Sequence, residues 1–584
     1  MRSTLAIWRS GRNRNSATAN WFVRFAKFMG FDFTEVLDGF SDLSDIAVLI
    51  IPPGTAKMSD KELSLITSAV QDGMGLLSYF DNSVLDEKGN TRLKDGRPTL
   101  GLADVLGLDL ITERGQYAFR ISNHQERVFV ADSTDDLWQC VDLTGEDFPT
   151  GSFLPSFTNY NIRTAQAFGT ILKTRTEAKT ANVLARSWGH TEYWADKPEG
   201  EIFVAINQFG VGRAAYISYN TLPPEGPYGL IYTDMVFYWA FLAKLLRRVS
   251  ACPLARIVQT PAGIPNVFLR LDDAGCDDGY AGKYGDPYHD TNRVVENTPY
   301  PMAIAVETGK ISTPIGEDRL RAWEQAGNVI VCHTRGLHDM TVDESEQVID
   351  LHESKERLEQ ILGHPAIFWS IPGDYEHATE NTLRLAARAG YQLCGEFCSL
   401  VSEIYNPQAC PVYPYMVKHE DIGVYTDVLT ASGWPAINRE FNVRVMDKLT
   451  ELAQATGIPC VMEFVTHVPQ GMPQYLDDWK AFMNDLAERV NSGKIRISDL
   501  AEQFQWVKVK ETLSLSAKPD NDGLVITVRN DNEELSARQV TIDCGKAIRS
   551  ASGPEGALEM LGESMIILPD LPPRSTCSVK VTFA

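Results

Sequence analysis

The sequence predicts an α/β protein in three parts: a distorted (β/α) barrel, a doubly wound domain before it and a small β-sandwich after it. Apolar runs of strand length alternate with helical apolar stripes over residues 1–250 and again over 262–505, a pattern typical of parallel sheets covered by helices. From about Lys508 the pattern changes to short runs in which apolar and polar residues alternate. A chain of 584 residues is also too long for one core. The predicted domains are therefore 1–250, 262–505 and 508–584.

The first domain begins with the strand–helix–strand rhythm of a doubly wound sheet. A strand at Thr4–Trp8, a helix at Thr18–Met29 and a strand at Ile46–Ile51 precede a helix that starts at the capping-box pattern Ser59-x-x-Glu62. The remaining elements predicted here are a strand, the two strands of a hairpin and a helix that is apolar on nearly all faces: Gly73–Tyr79, Glu201–Asn207, Ala214–Tyr219 and Ile231–Arg247.

The second domain repeats the alternation after a segment, residues 253–265, that has three prolines and few charges and that we expect to be a linker. Its predicted strands are 266–271, 301–306, 328–332, 366–370, 391–396 and 459–466, and its predicted helices are 317–326, 343–362, 378–389, 439–455 and 474–491. The predicted strands of the third domain are 513–517, 524–528, 539–542, 564–568 and 578–583.

The chain is acidic, with 54 Lys and Arg against 77 Asp and Glu and a net charge of −23. Such a charge repels nucleic acid and anionic lipid, so neither is predicted as a partner. No run approaches the roughly 20 apolar residues of a membrane-spanning helix, and the apolar run near Met1 is too short for a signal-peptide core. The sequence as it stands predicts a cytoplasmic protein, or a secreted or periplasmic one if a signal peptide has been removed. It leaves open whether the chain forms a homo-oligomer.

Ionisable residues follow three apolar runs of strand type, and they are Asp272, Asp273, His333, His338 and His467. Barrel enzymes place their chemistry at the carboxyl ends of the strands. One carboxylate and two imidazoles suit a divalent metal with open coordination positions. A second carboxylate and a distant histidine remain for acid–base chemistry. Each motif alone is also typical of a turn, a helix cap or a surface pair, but their joint occurrence favours a catalytic site.

The order of the Asp-Asp pair, the paired histidines and the strand-end histidine resembles the polysaccharide deacetylase family, also called the NodB homology domain or the carbohydrate esterase family 4-like fold. In that family the first Asp of the opening motif is the base and the second binds the metal. The resemblance covers residues 262–505 and implies a base, three ligands of a divalent metal, expected to be zinc, and an acid: Asp272 for the base, Asp273, His333 and His338 for the ligands, and His467 for the acid.

Two motifs depart from the family pattern. The histidine motif has one residue more than the family's between its two histidines, and the segment Phe368–Gly373 lacks the arginine of the corresponding family motif. The segment Asn381–Tyr391 that follows is again similar to the family. The chain therefore resembles a divergent member, and the missing arginine leaves open a substrate that is unusual for the family.

Three aromatic residues and one histidine are candidates for contact with a sugar: Trp369, Tyr375, Trp434 and His289. Aromatic rings stack on sugar faces, but buried packing is the more common role of tryptophan. His289 follows a segment rich in glycine and tyrosine, for which a solvated acidic loop is an equal alternative, and it is the next candidate metal ligand. The basic loop Arg9–Arg14 lies where doubly wound folds bind ligands, so either an anion site or a solvated loop is expected there.

Within the first domain, the strand Ile46–Ile51, the Pro-Pro-Gly turn, the capped helix and the strand Gly73–Leu77 resemble glutamine-amidotransferase-like domains of the flavodoxin-like, doubly wound class. Amidotransferase chemistry needs a cysteine nucleophile on the turn after a strand. The turn is filled by Tyr79-Phe80-Asp81, and the first cysteine of the chain is Cys140. The resemblance therefore implies a scaffold, a substrate-positioning surface or an assembly module.

These observations predict a metal-dependent hydrolase that removes N-acetyl groups from an amino-sugar-containing glycan, a reaction at a linear amide C–N bond. Two alternatives stay open. One is an amidohydrolase that acts on a small, non-sugar C–N bond, and the other is a catalytically degenerate barrel that serves as a glycan-binding scaffold. Bound metal would distinguish an enzyme from a scaffold, and acetate release from N-acetylated glycans would distinguish glycan from small-molecule chemistry.

Overall fold

The protein, in a computed structural model, has mixed α/β architecture, which confirms the predicted fold class at that level. The described residues are 3–112, 116–120, 125–131, 135–139, 160–161, 172–189, 201–220, 222, 233–274, 287–311, 313–336, 340, 342–370, 380–395, 414–419, 424–431, 439–457, 460–467 and 475–584. Within these ranges no helix is both long and apolar enough to cross a membrane.

The N-terminal part contains these elements in chain order: β1 (Thr4–Arg9), α1 (Ser16–Met29), β2 (Phe33–Leu37), β3 (Ile46–Ile51), α2 (Asp60–Gln71), β4 (Gly75–Tyr79), β5 (Leu93–Lys94), β6 (Arg97–Pro98), α3 (Ala103–Leu106), β7 (Leu108–Leu110), β8 (Ala118–Arg120), β9 (Gln125–Val130), α4 (Asp136–Gln139), β10 (Tyr160–Asn161), β11 (Leu172–Thr174), β12 (Thr176–Ala178), β13 (Asn182–Gly189), β14 (Glu201–Phe209), β15 (Gly212–Ile217) and α5 (Thr233–Val249).

A nine-stranded sheet organises this part, in the order β10-β9-β13-β14-β15-β4-β3-β1-β2. The pairings from β15 to β2 are parallel, and those from β10 to β15 are antiparallel. Alternate residues of β1 serve two layers, since Leu5 and Ile7 pack with α1 and α5 while Ala6 and Trp8 pack with α2 and α3. Helices therefore cover both faces of the parallel strands.

The capping box predicted for α2 is confirmed. The Ser59 hydroxyl accepts a hydrogen bond from the Glu62 backbone N–H, and the Glu62 carboxylate accepts one from the Ser59 backbone N–H. The Glu62 carboxylate also accepts from the Gly39 backbone N–H at 2.8 Å and contacts the guanidinium of Arg12. The start of α2 is thus tied to the loop after β1.

The central part contains β16 (Arg256–Ile257), β17 (Asn266–Ala274), α6 (Pro287–Glu296), β18 (Met302–Glu307), α7 (Pro314–Gln325), β19 (Val329–Thr334), α8 (Glu344–Leu362), β20 (Phe368–Ser370), α9 (Glu380–Ala389), β21 (Leu393–Gly395), β22 (Pro414–His419), β23 (Val424–Ala431), α10 (Arg439–Thr456), β24 (Val461–His467), α11 (Tyr475–Asn491), β25 (Arg496–Ile497) and α12 (Leu500–Lys510). The predicted strands and helices of the barrel match members of this series to within a few residues at each end.

The main sheet of the central part returns to its first strand. The pairings β17-β18-β19-β20-β21-β23-β24-β17 are all parallel, and β22 adds to β23 as an antiparallel neighbour. This ring of strands is compatible with the distorted barrel predicted from the sequence. A parallel ring brings the carboxyl ends of its strands to one rim.

Alternate residues of β17 serve two different layers. Leu269 and Leu271 belong to the large apolar cluster that includes residues of α7 and α8, whereas Phe268 packs with Phe504 of α12 in a smaller cluster. That smaller cluster also takes alternate residues from β18, β19 and β24, so it fills the inside of the ring. Since β25 pairs with the first residues of β17 just before α12 begins, α12 closes the ring at the amino ends of the strands.

The C-terminal part contains β26 (Leu513–Asp520), β27 (Gly523–Asn530), β28 (Thr541–Asp543), β29 (Ile548–Gly553), β30 (Gly556–Ala557), β31 (Glu559–Leu561), β32 (Met565–Ile567) and β33 (Ser575–Phe583). These strands form a five-stranded sheet, β26-β27-β33-β29-β30, and a four-stranded sheet, β16-β28-β32-β31. Apolar side chains of both sheets belong to one cluster. The segment that we expected to be a linker thus supplies β16, which pairs antiparallel with β28.

A buried carboxylate joins the three parts of the chain. Asp543 Oδ2 accepts from Arg256 Nε at 3.0 Å and from Arg247 Nη2 at 2.7 Å, and Arg256 also donates to the Met29 carbonyl at 3.3 Å. Burial opposes ionisation of Asp543, but the charges of Arg247 and Arg256 hold its pKa well below the ordinary range. Burial lowers the pKa of Arg256 to about 10, so both groups are charged at pH 7.

We predict that Asp543→Asn lowers the free energy of unfolding at pH 7 by about 3–5 kcal/mol, because two guanidiniums lose their shared carboxylate. The folded-state pKa of Asp543 lies below its ordinary value of 3.8, so its stabilising contribution is present above that value and is lost as the pH falls. The free energy of unfolding should be measured with urea at several pH values. The difference in this free energy between variant and wild type should shrink below about pH 4.

Asp570→Asn is the matched control, because Asp570 contacts Arg538 at 3.8 Å with both side chains largely exposed. Its unfolding transition should match that of the wild type. An equal loss of unfolding free energy in Asp543→Asn and Asp570→Asn would contradict the structural role assigned to Asp543.

Candidate active site

The register of two neighbouring strands brings Asp272 and His467 side by side. β17 pairs with β24 in an unbroken parallel register that runs from Asn266 opposite Val461 to Asp272 opposite His467. Both residues stand at the last paired position of these two strands, where β24 ends and two residues before the end of β17. The sequence placed each residue at the end of its own strand, and the structure makes those strands neighbours.

The pairing is irregular on the other side of β17. Opposite β18, the register shifts between Leu271 and Ala274, so one extra residue of β17 lies at the Asp272–Asp273 pair. A second shift occurs between β18 and β19, next to His333. Such bulges re-aim side chains and are common beside active sites. Simple alternation along β17 therefore does not decide where the two neighbouring aspartates point.

Arg270 joins two carboxylates inside the ring. Its Nη2 donates to Asp272 Oδ2 at 2.7 Å, and its Nη1 lies 2.9 Å from Glu463 Oε1 on β24. The three side chains are between 1% and 3% exposed, so this ion network is shielded from solvent. Arg270 follows Phe268 by two residues on the same strand face, and its hydrogen bond to Asp272 places that carboxylate close to the apolar filling of the ring.

His333 is buried at the end of β19, and its ring orientation is set by a backbone group. Its Nδ1 lies 3.1 Å from the Ser370 carbonyl oxygen. Because a carbonyl oxygen can only accept, Nδ1 carries the hydrogen, and a neutral ring then has its lone pair on Nε2. Histidines that bind metals in proteins usually donate their other ring N–H in this way.

Trp369 supports His333 and has no ring face open to a ligand. Its side chain is 0% exposed, its Nε1 donates to the His333 carbonyl at 2.8 Å, and its ring stacks on Tyr391 at a centroid distance of 6.0 Å. This position corrects the expectation that Trp369 stacks on a sugar. The side chain instead packs in the layer between strands and helices.

Asp350 of α8 fixes the backbone just beyond His333. Its carboxylate accepts from the Arg335 N–H, at 3.1 Å to Oδ1 and 3.3 Å to Oδ2. Burial raises the pKa of Asp350 to about 6, against the hydrogen bonds from Arg335 and the charges of Arg335 and His333, which lower it. The loop after β19 therefore depends on a carboxylate whose ionisation is costly.

Sequence reasoning missed three buried ionisable residues near this site: Glu307 at the end of β18, Asp350 on α8 and Glu463 inside β24. Glu307 ends β18 with its side chain 0% exposed and forms an ion pair with Lys310. The signal for Glu307 was present, because the apolar run Met302–Val306 stops at it just as the neighbouring runs stop at Asp272 and His333. Glu463 interrupts an apolar strand, and a charge inside such a strand requires a partner.

Several predicted site residues lie outside what the structure describes. His338, Tyr375 and Trp434 fall outside the described residues. Asp273 lies in β17 and His289 lies in α6, and the structure describes only the backbone of these two residues. The same holds for His467 at the end of β24.

Among the described residues, no three His, Cys, Asp or Glu side chains converge as a metal-binding group. Two of the three ligands predicted from the sequence, Asp273 and His338, have side chains that lie outside that set. The predicted ligand set therefore stays a prediction, and His333 is its one member with a described side chain.

The basic loop after β1 is largely neutralised by nearby carboxylates. Arg9 pairs with Glu35, and Arg12 pairs with Asp38 and Glu62. The hydrogen bond with Glu62 raises the pKa of Arg12 further above its ordinary value, although burial opposes this. These ion pairs favour a solvated loop over an anion site.

No protein-family model and no curated protein matches the sequence. Among solved structures, a β-galactosidase from Bacillus circulans sp. alkalophilus is 14% identical, with 44% of this chain and 33% of that chain covered and a TM-score of 0.29. This chain thus spans about a third of the length of that enzyme.

Two smaller proteins show a similar, distant likeness. PuuE allantoinase is 14% identical, with 43% of this chain and 92% of that chain covered, and a probable polysaccharide deacetylase from Pseudomonas aeruginosa is 11% identical, with 43% and 93% covered. Both have a TM-score of 0.33. Likeness at this level does not specify an activity, so the function rests on the side chains at the strand ends.

We predict that Asp350→Asn stabilises the protein in a pH-dependent way. Between pH 3.8 and about pH 6 the unfolded state loses the Asp350 proton while the folded state keeps it, so wild-type stability falls as the pH rises through this window. An asparagine oxygen still accepts from Arg335 and carries no charge. The unfolding free energy of the variant relative to wild type should rise by on the order of 2 kcal/mol from pH 4 to pH 6 and then level off. A constant difference across this range would contradict the prediction.

Proposed function

We propose that this protein is a metal-dependent hydrolase that removes N-acetyl groups from an amino-sugar-containing glycan. The observation that carries the proposal is the pairing of Asp272 with His467 at the ends of two adjacent strands, one strand away from the end that carries Glu307. A buried carboxylate next to a histidine offers a proton acceptor and a proton donor within one site. Amide hydrolysis requires both, because water must lose a proton and the leaving nitrogen must gain one.

Two features of the described residues support a divalent metal in the proposed site. The His333 ring is held by the Ser370 carbonyl in the tautomer that presents Nε2 as a ligand atom. The network of Arg270, Asp272 and Glu463 brings two carboxylates close to this site, and nearby carboxylates favour the binding of a cation. His333, Asp273 and His338 are the residues that would hold the metal, and zinc suits such a set of ligands.

The chain's own groups have separate tasks in the proposed reaction. A bound divalent metal would supply Lewis-acid chemistry to the amide carbonyl and to water. Asp272 accepts the proton of the attacking water, and because Arg270 holds Oδ2, we assign this transfer to Oδ1. His467 gives a proton to the leaving amine. The products are acetate and an amino sugar.

The roles of the two neighbouring aspartates give a testable prediction. Asp273→Asn should reduce metal affinity strongly, because a neutral amide is a poor ligand for a dication. Asp272→Asn and His467→Ala should keep the metal and reduce turnover by ~10²–10⁴-fold, the usual contribution of a positioned acid or base. Metal content by elemental analysis and acetate release from a panel of N-acetylated glycans should be measured on the same preparations.

His333→Ala should lose the metal, which in the wild type should be about one divalent ion per chain. His364→Ala is the matched control, because His364 lies on the outside of the barrel beside Glu324 and should change neither metal nor rate. Wild-type activity in Asp272→Asn, Asp273→Asn and His467→Ala would rule out the hydrolase and favour a glycan-binding scaffold. Metal loss in Asp272→Asn with retention in Asp273→Asn would reverse the two assignments.

A further inference from the structure

We infer that Arg270, itself held by Glu463, is the positioning residue that fixes the carboxylate of Asp272 for catalysis. This inference rests on the proposed function, in which Asp272 is the base. The structure supplies a guanidinium from the same strand as the base, two residues earlier.

Strand geometry makes this arrangement rigid. Arg270 and Asp272 lie two residues apart on β17, and Arg270 Nη2 reaches Asp272 Oδ2 at 2.7 Å without any loop between them. The second guanidinium nitrogen reaches across to Glu463 on β24, at 2.9 Å. The two carboxylates are thus engaged by different nitrogens of one planar group, which fixes the orientation of the guanidinium in the ring.

Burial makes these contacts strong and specific. The three side chains are at most 3% exposed, so water does not screen the ion pairs as it would at the surface. Arginine suits this role better than lysine, because its planar guanidinium contacts the two carboxylates through two nitrogens held in a fixed geometry, whereas an ammonium is a single compact charge on a flexible stem. An Arg–Glu pair beneath the base therefore holds Asp272 Oδ2 in place while the other oxygen takes part in proton transfer.

The expected consequence of disturbing this network is a loss of rate rather than of substrate affinity. Neither Arg270 nor Glu463 is assigned a contact with substrate, and a base displaced by about 1 Å can cost roughly 10²-fold in rate. Arg270→Lys should lower kcat by roughly 10²-fold, and Glu463→Gln, which keeps the shape and removes the charge, should lower it by roughly 10-fold. KM for the best glycan of the panel and the metal content should stay at wild-type values.

Asp447→Asn is the matched control. Asp447 binds Arg489 through two hydrogen bonds, at 2.7 and 2.6 Å, in the outer helical layer between α10 and α11. The substitution removes one partner of a well-formed ion pair that lies in the same domain but away from the rim. Its kcat should equal that of the wild type, and thermal unfolding of all variants would show that each is folded at the assay temperature.

A double variant distinguishes positioning from a general loss of structure. If Arg270 acts through Asp272, then Asp272→Asn combined with Arg270→Lys should be no slower than Asp272→Asn alone. A kcat in the double variant that is reduced by the product of the two single-variant reductions would overturn the inference. Wild-type kcat in both Arg270→Lys and Glu463→Gln would also overturn it. If Asp272→Asn is slow while the Arg270 and Glu463 variants are normal, the positioning role fails and the proposed function stands.

If the wild type releases no acetate, the proposed function fails, and crystal structures still test the positioning role. In Glu463→Gln and Arg270→Lys the Asp272 carboxylate should be displaced by about 1 Å or more from its wild-type place. An unmoved carboxylate in both variants would overturn the inference without reference to any activity.

Discussion

The parallel register between β17 and β24 is the constraint on which the candidate site depends. It sets Asp272 opposite His467, and it also brings Glu463 within reach of Arg270. A slip of one residue would turn every side chain of a strand to the opposite face. The same slip would bring Phe268 out of the apolar filling of the ring and place charged groups in it. Packing inside the ring therefore secures the placement of Asp272 opposite His467.

Much of the fold of the central part could be predicted from the sequence, because its strands and helices differ clearly in apolar pattern. The predicted strand 459–466 corresponds to Val461–His467, and the predicted helix 343–362 corresponds to Glu344–Leu362. Long-range pairing could not be predicted this way. Residues 253–265 have the composition of a linker, yet Arg256–Ile257 pairs with a strand nearly 300 residues later, since the Arg256–Asp543 ion pair holds them together.

The candidate site was predictable to the extent that it depends on where strands end. That rule identified Asp272 and His333, and applied to the run before Glu307 it would have identified that residue as well. It could not reveal that Trp369 is turned into the helical layer, because a three-residue strand gives too little pattern to assign its faces. Nor could it show the partner of Arg270, which lies on a strand that is adjacent only in space.

The buried ion networks around Asp543 and around Arg270 have opposite ratios of acidic to basic groups. At the junction of the three parts, one carboxylate is shared by two guanidiniums, and Asp543 also accepts from the Gly545 N–H and the Ser564 hydroxyl, which suits a purely structural contact. In the barrel, one guanidinium is shared by two carboxylates, so these three groups carry a negative charge in excess. Such an excess is costly in a low-dielectric interior unless a cation or a proton balances it. In the proposed function, the metal held at the neighbouring strand ends would supply this balancing charge.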